Sequence, residues 1–204
     1  MLSREEIVAK FRQVVEARSR ASIEKEAAKI RSELGLDPFD QVDMARLVDL
    51  HLPKMIDGYE CRVAENNVLG AAEAVTDLLR PIITFSLKIY DQLCAGNRRA
   101  RMTAAHELGH LLLHTRRPVG VAFMQKDDPT VDPERQADAF AAAFLMPEEA
   151  FRKMKSIHQA MKVFGVSQDA ATCRARKLRM NWLVHGRMPP KQKTKGRKSV
   201  TRAP

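Results

Sequence analysis

The sequence of 204 residues predicts an α+β domain, and three observations carry that expectation. Stretches at both ends place apolar residues at helical spacing. Between them, residues of about 59–90 concentrate β-branched, aromatic and alternating positions. Two further helices, about 98–114 and about 132–146, are framed by strong start and stop signals. The architecture expected is a long N-terminal helix, a small, mostly antiparallel three-stranded sheet, two helices after it, and a C-terminal end of helix-turn-helix character.

Each element follows from local chemistry. Ser3-Arg4-Glu5-Glu6 has the form of a capping box. Ile7, Phe11, Val14, Val15, Ile23, Ala27, Ile30 and Leu34 then recur mostly at helical spacing until Gly35 and Pro38. One helix over about 4–34, bent near Ser19–Ser22, is expected, followed by a short one over about 41–50. YECRVA (59–64) alternates, Asn66-Asn67 reads as a turn, and VLGAA (68–72) reads as its hairpin partner. PIITFSLKIY (81–90) carries the strongest strand signal, with Pro81 at its start, where a missing N–H costs least. Gly96-Asn97 closes the sheet region and opens the helix of about 98–114. After a linker, Asp132-Pro133-Glu134 supplies a cap, a proline for the first helical position and an acid for the first turn. Pro147 ends that helix. Short helices are expected over about 148–155, 156–164 closed by Gly165, and 168–179 capped by Ser167. Beyond Trp182 there is little to bury, and 189–204 reads as a mobile tail.

Apolar residues make up 45% of the chain, enough for a core. No apolar run approaches the roughly 18 residues of a membrane span, and MLSREEIVAKFRQ lacks the apolar centre of a signal peptide. A cytosolic protein without membrane contact is expected. Cys61, Cys94 and Cys173 are odd in number and far apart with no C-x-x-C pair, so neither a disulfide framework nor a thiolate zinc site is suggested. Of the cations behind the net charge of +10, eleven lie from Arg174 onward and no acid follows Asp169, so the body is close to neutral.

His106-Glu107-Leu108-Gly109-His110 fits H-E-x-x-H on a helix. Positions i and i+4 lie about 40° apart around the axis and about 6 Å along it, so both imidazoles can meet one ion. Glu107 sits about 100° from His106, beside such an ion and not on it. A carboxylate with a pKa near 4.3 cannot take a proton from bulk water at about 15.7, but zinc lowers bound water to about 7 and makes the transfer feasible. Catalytic zinc uses three protein ligands and a water. Eight residues of helix place His114 about 12 Å along the axis from His106, too far to share one ion, so packing, capping or orienting a neighbour falls to it. Glu134, opening a helix after a linker long enough to turn back, is the best third donor; Asp127, Asp128 and Asp132 are its rivals. Asp138, one turn on, suits a carboxylate that accepts the spare N–H of a ligating histidine.

RARMTAAHELGHLLLH (99–114), ERQADAFAAAFLMP (134–147) and FGVSQDAATCRARKLRMN (164–181) together resemble the ImmA/IrrE family of small zinc metallopeptidases, compact relatives of the gluzincins. The resemblance implies a single Zn2+ held by His106, His110 and Glu134, with Glu107 as the catalytic base. Asp138 stands where the family often has Asn or Asp, and Gln136 where an acid is common. It also implies a protein substrate, a helix-turn-helix transcriptional repressor whose cleavage derepresses its genes. Such a substrate would lie as an extended strand on the sheet edge formed by PIITFSL. An oxyanion role for His158 or His185 competes with a structural or exposed position for each. On this reading residues 1–158 form the metallopeptidase domain, 159–186 a helix-turn-helix-like segment and 187–204 a basic tail.

Val166 to Lys177 resembles the second helix of a helix-turn-helix. Arg174, Arg176 and Lys177, with Lys191, Lys193, Lys195, Arg197 and Lys198, form a candidate weak contact with nucleic acid or an acidic partner. The competing reading packs this helix onto the main domain through Val166, Ala170, Cys173 and Leu178. Two rival functions accompany the endopeptidase: a DNA-binding or anti-repressor module that cuts nothing, and a toxin-like half of a regulatory pair.

Overall fold

Capping and β-branched residues set most element boundaries in the computed structural model, which describes residues 11–115, 120–123, 128 and 130–185. The helix expected over about 4–34 begins only at Arg20. Ser19 stops it: its backbone is extended and its hydroxyl accepts from the Ser22 N–H, so α1 spans Arg20–Glu33. Ahead of it Phe11–Val14 form β1, antiparallel to β5 (Gly120–Phe123), with Phe11 opposite Phe123 and Val14 opposite Gly120. The valine pair Val14-Val15 suits strand geometry, and the chain continues as a tether, with Val15 N donating to Val131 O at 3.0 Å and Arg18 N to Thr130 O at 2.8 Å. The capping box at Ser3–Glu6 lies outside the described residues. Ile23, Ala27, Ile30 and Arg31 form the buried stripe of α1.

Asp43 caps the next helical stretch, α2, which runs Met44–Arg46, widens to a π-turn over Leu47–His51 and resumes over Leu52–Met55. Pro53 explains the widening: it has no N–H for the carbonyl four residues back, and the preceding turn closes instead through Leu52 N to Leu47 O.

The main sheet has three strands, β2 (Glu60–Ala64), β3 (Ala74–Thr76) and β4 (Ile82–Ser86), in the order β2-β4-β3. It is mixed rather than mostly antiparallel. β2 runs parallel to β4, with Glu60 opposite Ile82, and β3 runs antiparallel to it, with Val75 opposite Thr84. The hairpin expected between 59–64 and 68–72 is therefore absent; residues 66–71 are turn, and the third strand follows them. The strand expected over 81–90 ends at Ser86, and Leu87–Cys94 form α3. Ile82, Ile83 and Phe85 are all buried, as a central strand covered on both faces requires. Ile89 and Leu93, four apart, bury one face of α3. Because β4 is central, the outer edge of the sheet nearest His106 and His110 belongs to β3, not to PIITFSL.

Asn97 caps α4 (Arg98–His114) by accepting from Arg99 N and Ala100 N, and Asp132 caps α5 (Pro133–Leu145) by accepting from Glu134 N and Arg135 N. These two helices form the centre of the molecule, with α1 against α5 and the sheet against α4. Shorter helices close the fold: α6 (Glu148–Phe151), α7 (Ile157–Phe164) capped by Ser156, α8 (Gln168–Lys177) capped by Ser167, and α9 (Asn181–Val184). Gly165 ends α7 at φ +61°, and a β-carbon there would collide with the Gln41 and Arg101 side chains.

The structure removes Arg174 from the expected basic surface. It is 2% exposed, its Nε donates to Met146 O at 3.0 Å and its Nη2 to Glu24 Oε2 at 2.9 Å, so it bolts α8 to α1 and to the end of α5. A short aliphatic face would leave the Glu24 carboxylate and the last carbonyls of α5 without that donor fork. Val166 and Leu178 are buried with it, while Cys173, Arg176 and Lys177 are exposed. Lys191, Lys193, Lys195, Arg197 and Lys198 lie outside the described residues. Among the described residues no helix is long and apolar enough to cross a membrane.

Candidate metal centre

Close helix packing builds the site. At Gly109 a β-carbon would lie 2.9 Å from Ala137 Cα and 3.1 Å from Ala137 O, so the absence of a side chain there lets α5 rest directly on α4. Glu134, one turn before Ala137, then reaches the two histidines. Its Oε2 lies 3.2 Å from His106 Nε2 and its Oε1 lies 3.3 Å from His110 Nε2, while the two Nε2 atoms are 3.0 Å apart. All three ligand atoms fall within 4.8 Å of one another.

These spacings pass a quantitative test. Ligands about 2.05 Å from a tetrahedral ion stand about 3.3 Å apart, close to the 3.0–3.3 Å found here. Two imidazole nitrogens and one carboxylate oxygen are also the donor types of a catalytic zinc site. The residues fit the ion.

Neighbouring groups hold the ligands. His106 Nδ1 lies 2.9 Å from Asp138 Oδ1, so the carboxylate accepts that N–H and turns Nε2 toward Glu134 and His110. Burial opposes a charge on His106, but hydrogen bonds to Asp138 and Glu134 outweigh it and push the imidazole up to about 10. The same rings, by hydrogen bonding, hold the Glu134 carboxyl well below the usual carboxylate range. Both shifts have one origin: the pocket attracts positive charge at the point where the three ligand atoms converge.

Glu107 points from the same helix toward β3. Thr76 Oγ1 donates to Glu107 Oε2 at 2.7 Å and also lies 3.0 Å from the Glu107 carbonyl. Thr76 has no sequence signal of its own, since it ends a three-residue strand. A cavity of about 280 Å³ opens over the group, floored by His106, Glu107, His110 and Glu134 and walled by Val75 and Pro133.

His114 does not reach the three ligand atoms. It is 1% exposed, stacked edge-on to His110 with Nδ1 atoms 3.1 Å apart, and its Nε2 lies 3.1 Å from Gln136 Oε1. Burial pushes its pKa down to about 4, which keeps the ring neutral. Of the rivals to Glu134, Asp132 is engaged in capping, Asp128 accepts from Thr130, and Asp127 lies outside the described residues. His158 and His185 are exposed and do not line the cavity.

Residues 94–176 match the IrrE N-terminal-like domain of the peptidase M78 group. Among solved structures, a Mycobacterium tuberculosis transcriptional regulator superposes with a TM-score of 0.50 at 17% identity, covering 76% of this chain and 46% of that one. That likeness is one of fold, and the chain spans less than half the length of the mycobacterial protein. No curated protein matches the sequence.

Proposed function

We propose, on the premise that residues 94–176 are a peptidase domain of the IrrE N-terminal-like family, that the chain is a zinc-dependent endopeptidase of the cytoplasm. The observation that carries this reading is the convergence of His106 Nε2, His110 Nε2 and the Glu134 carboxylate, whose Oε2 and Oε1 lie 3.2 Å and 3.3 Å from the two nitrogens, with Glu107 beside it. His106, His110 and Glu134 hold one ion, and Asp138 fixes the ring of His106.

Zinc held there polarises a peptide carbonyl and lowers the pKa of a water to about 7. Every other contribution comes from the chain. Glu107, 7% exposed and gripped by Thr76, accepts the proton of the attacking water and delivers it to the departing amine. Its hydrogen bond from Thr76 occupies one oxygen and leaves the other for the water. The substrate binds as an extended segment along the outer edge of β3, where among the described residues no strand pairs. Val75, 45% exposed beside the cavity, supplies an apolar contact for its side chains.

The substrate fitting this reading is a protein regulator, a helix-turn-helix repressor whose cleavage derepresses its genes. Of the candidate nucleic-acid contacts within the described residues, Arg176 and Lys177 remain, because Arg174 is spent on Glu24. The burial of that arginine favours hydrolysis over a DNA-binding module that acts by contact alone.

The test is incubation of the zinc-loaded protein with a purified repressor from a neighbouring gene, with mass spectrometry of the products. Wild type is expected to cut the repressor; Glu107→Gln keeps zinc and leaves the repressor intact. Relief of repression by Glu107→Gln at wild-type strength would overturn the reading.

A further inference from the structure

The two histidines of the centre are oriented by different means. His106 has a carboxylate behind it, Asp138, which can only accept, so its tautomer is set by one contact. Behind His110 stands a third imidazole, and an imidazole can donate or accept. Something further along has to decide the direction of that hydrogen bond, or His110 would present a proton to the ion as readily as a lone pair.

The decision is made at Gln136. Its Nε2 lies 2.8 Å from Glu16 O and 2.7 Å from Thr130 O. Backbone carbonyls only accept, so the amide nitrogen must face them; the flipped amide would set an oxygen against two oxygens. The Gln136 Oε1 is thereby turned toward His114 Nε2, 3.1 Å away, and that nitrogen must carry a proton. His114 is 1% exposed and neither hydrogen-bond partner of its ring is a carboxylate, so it keeps that single proton. Its Nδ1 is then a lone pair, which accepts from His110 Nδ1 at 3.1 Å. The proton of His110 is fixed on Nδ1 and its Nε2 is left bare, facing His106 Nε2 and Glu134.

We propose that Gln136 and His114 are positioning residues that set the tautomer of His110, through a buried relay anchored on the carbonyls of Glu16 and Thr130. This rests on the metal-centre reading, and it assigns a task to the one position where the sequence departs from the family habit of an acid. Two features of the fold meet in it: the tether that precedes α1 supplies the Glu16 carbonyl, and the linker that precedes α5 supplies Thr130.

The relay separates two jobs of Gln136, and variants separate them too. Gln136→Leu removes both the tie to the carbonyls and the acceptor for His114. Gln136→Glu loses the donors to the carbonyls but keeps an oxygen toward His114. Three quantities are measured for each: zinc affinity by competition with a chromophoric chelator, the His110 ring proton by nitrogen-15 NMR of the metal-free protein, and the melting temperature. Wild type is expected to show His110 protonated on Nδ1. Gln136→Leu is expected to show mixed His110 tautomers and zinc binding weaker by about 10- to 100-fold. Gln136→Glu is expected to melt lower yet hold the Nδ1 tautomer and bind zinc within a few-fold of wild type. Should Gln136→Leu fail to fold, His114→Phe, which keeps the ring volume and removes the acceptor, must give the same loss of tautomer and affinity.

A folded Gln136→Leu with the wild-type tautomer and wild-type zinc affinity overturns the relay. So does a Gln136→Glu that melts lower and loses affinity in proportion, since that marks a purely structural role. Failure of the metal reading looks different: wild type itself binds no zinc, while the His110 tautomer still responds to the variants.

Discussion

Thr76 Oγ1 sits 2.7 Å from Glu107 Oε2, and this contact ties the sheet to the Glu107 carboxylate of α4, the proposed base. Thr76→Val keeps the shape and removes the donor. Loss of a single orienting hydrogen bond predicts a fall in kcat of about tenfold with zinc affinity unchanged. Glu107→Gln removes the base itself and predicts a loss of about 10²- to 10⁴-fold, again with the metal retained. Cleavage rates and metal content measured on both variants check the pair. Equal losses in the two would show that Thr76 does more than orient.

Gly109 predicts a packing effect. A methyl group there meets the backbone of Ala137 at 2.9 Å, and backbone cannot swing aside as a side-chain tip can. Gly109→Ala is expected to push α5 off α4, costing about 1–3 kcal/mol of stability and moving Glu134 away from the histidines. Urea unfolding and zinc titration should therefore worsen together. Improved stability, as expected for an open helical glycine, would contradict the close approach.

Arg174 predicts a stability effect with no DNA component. Arg174→Ala leaves the Glu24 carboxylate without its fork, a loss of about 3–5 kcal/mol by the usual cost of breaking a buried ion pair. Arg174→Met with Glu24→Met restores much of that, since it removes both charges together and leaves neither without its partner. The checks are denaturant midpoints and a gel-shift assay, in which any weak nucleic-acid binding stays at the wild-type level for the double variant.

The metal-free protein predicts a pH slope. His106 is lifted from its ordinary 6.5 to about 10 by Asp138 and Glu134 against the opposing effect of burial. A raised folded-state value stabilises fully below 6.5 and loses that stabilisation as pH climbs through about 10. The chelator-stripped chain should become steadily easier to unfold across this window. His106→Ala, measured at matched pH values, should flatten the slope across this window. A wild-type midpoint that rises through the same window would refute the electrostatic description of the pocket.

Much of this was legible in local sequence. Asn97, Asp132, Ser156 and Ser167 act as caps at the helix starts their chemistry indicates, and the family resemblance fell on the segment that matches. What escaped was non-local. Three residues, Ala74–Thr76, become a strand only because β4 and α4 lie on either side. The β2–β4 pairing is parallel because β3 intervenes in sequence and takes the other side of β4, which no hairpin signal can announce. Ile82–Tyr90 has one unbroken β-like composition, and only the burial of Ile89 and Leu93 on one face turns its second half into helix. Arg174 sits in a basic run that reads as solvated, yet its partner Glu24 lies 150 residues away. Gln136 looks like a small departure from habit until its amide is seen to meet a carbonyl 120 residues upstream.

That last contact makes the front of the chain a participant in whatever the centre holds. Residues 15–18 hydrogen-bond to 130–131, and Glu16 O receives the Gln136 amide. Thermodynamic reciprocity then applies: whatever factor this leading arm contributes to the grip on a cation, the cation returns to the seating of the arm. Loading the centre should slow amide exchange at Val15 and Arg18, so that occupancy can be read at positions remote in sequence from the two histidines and Glu134.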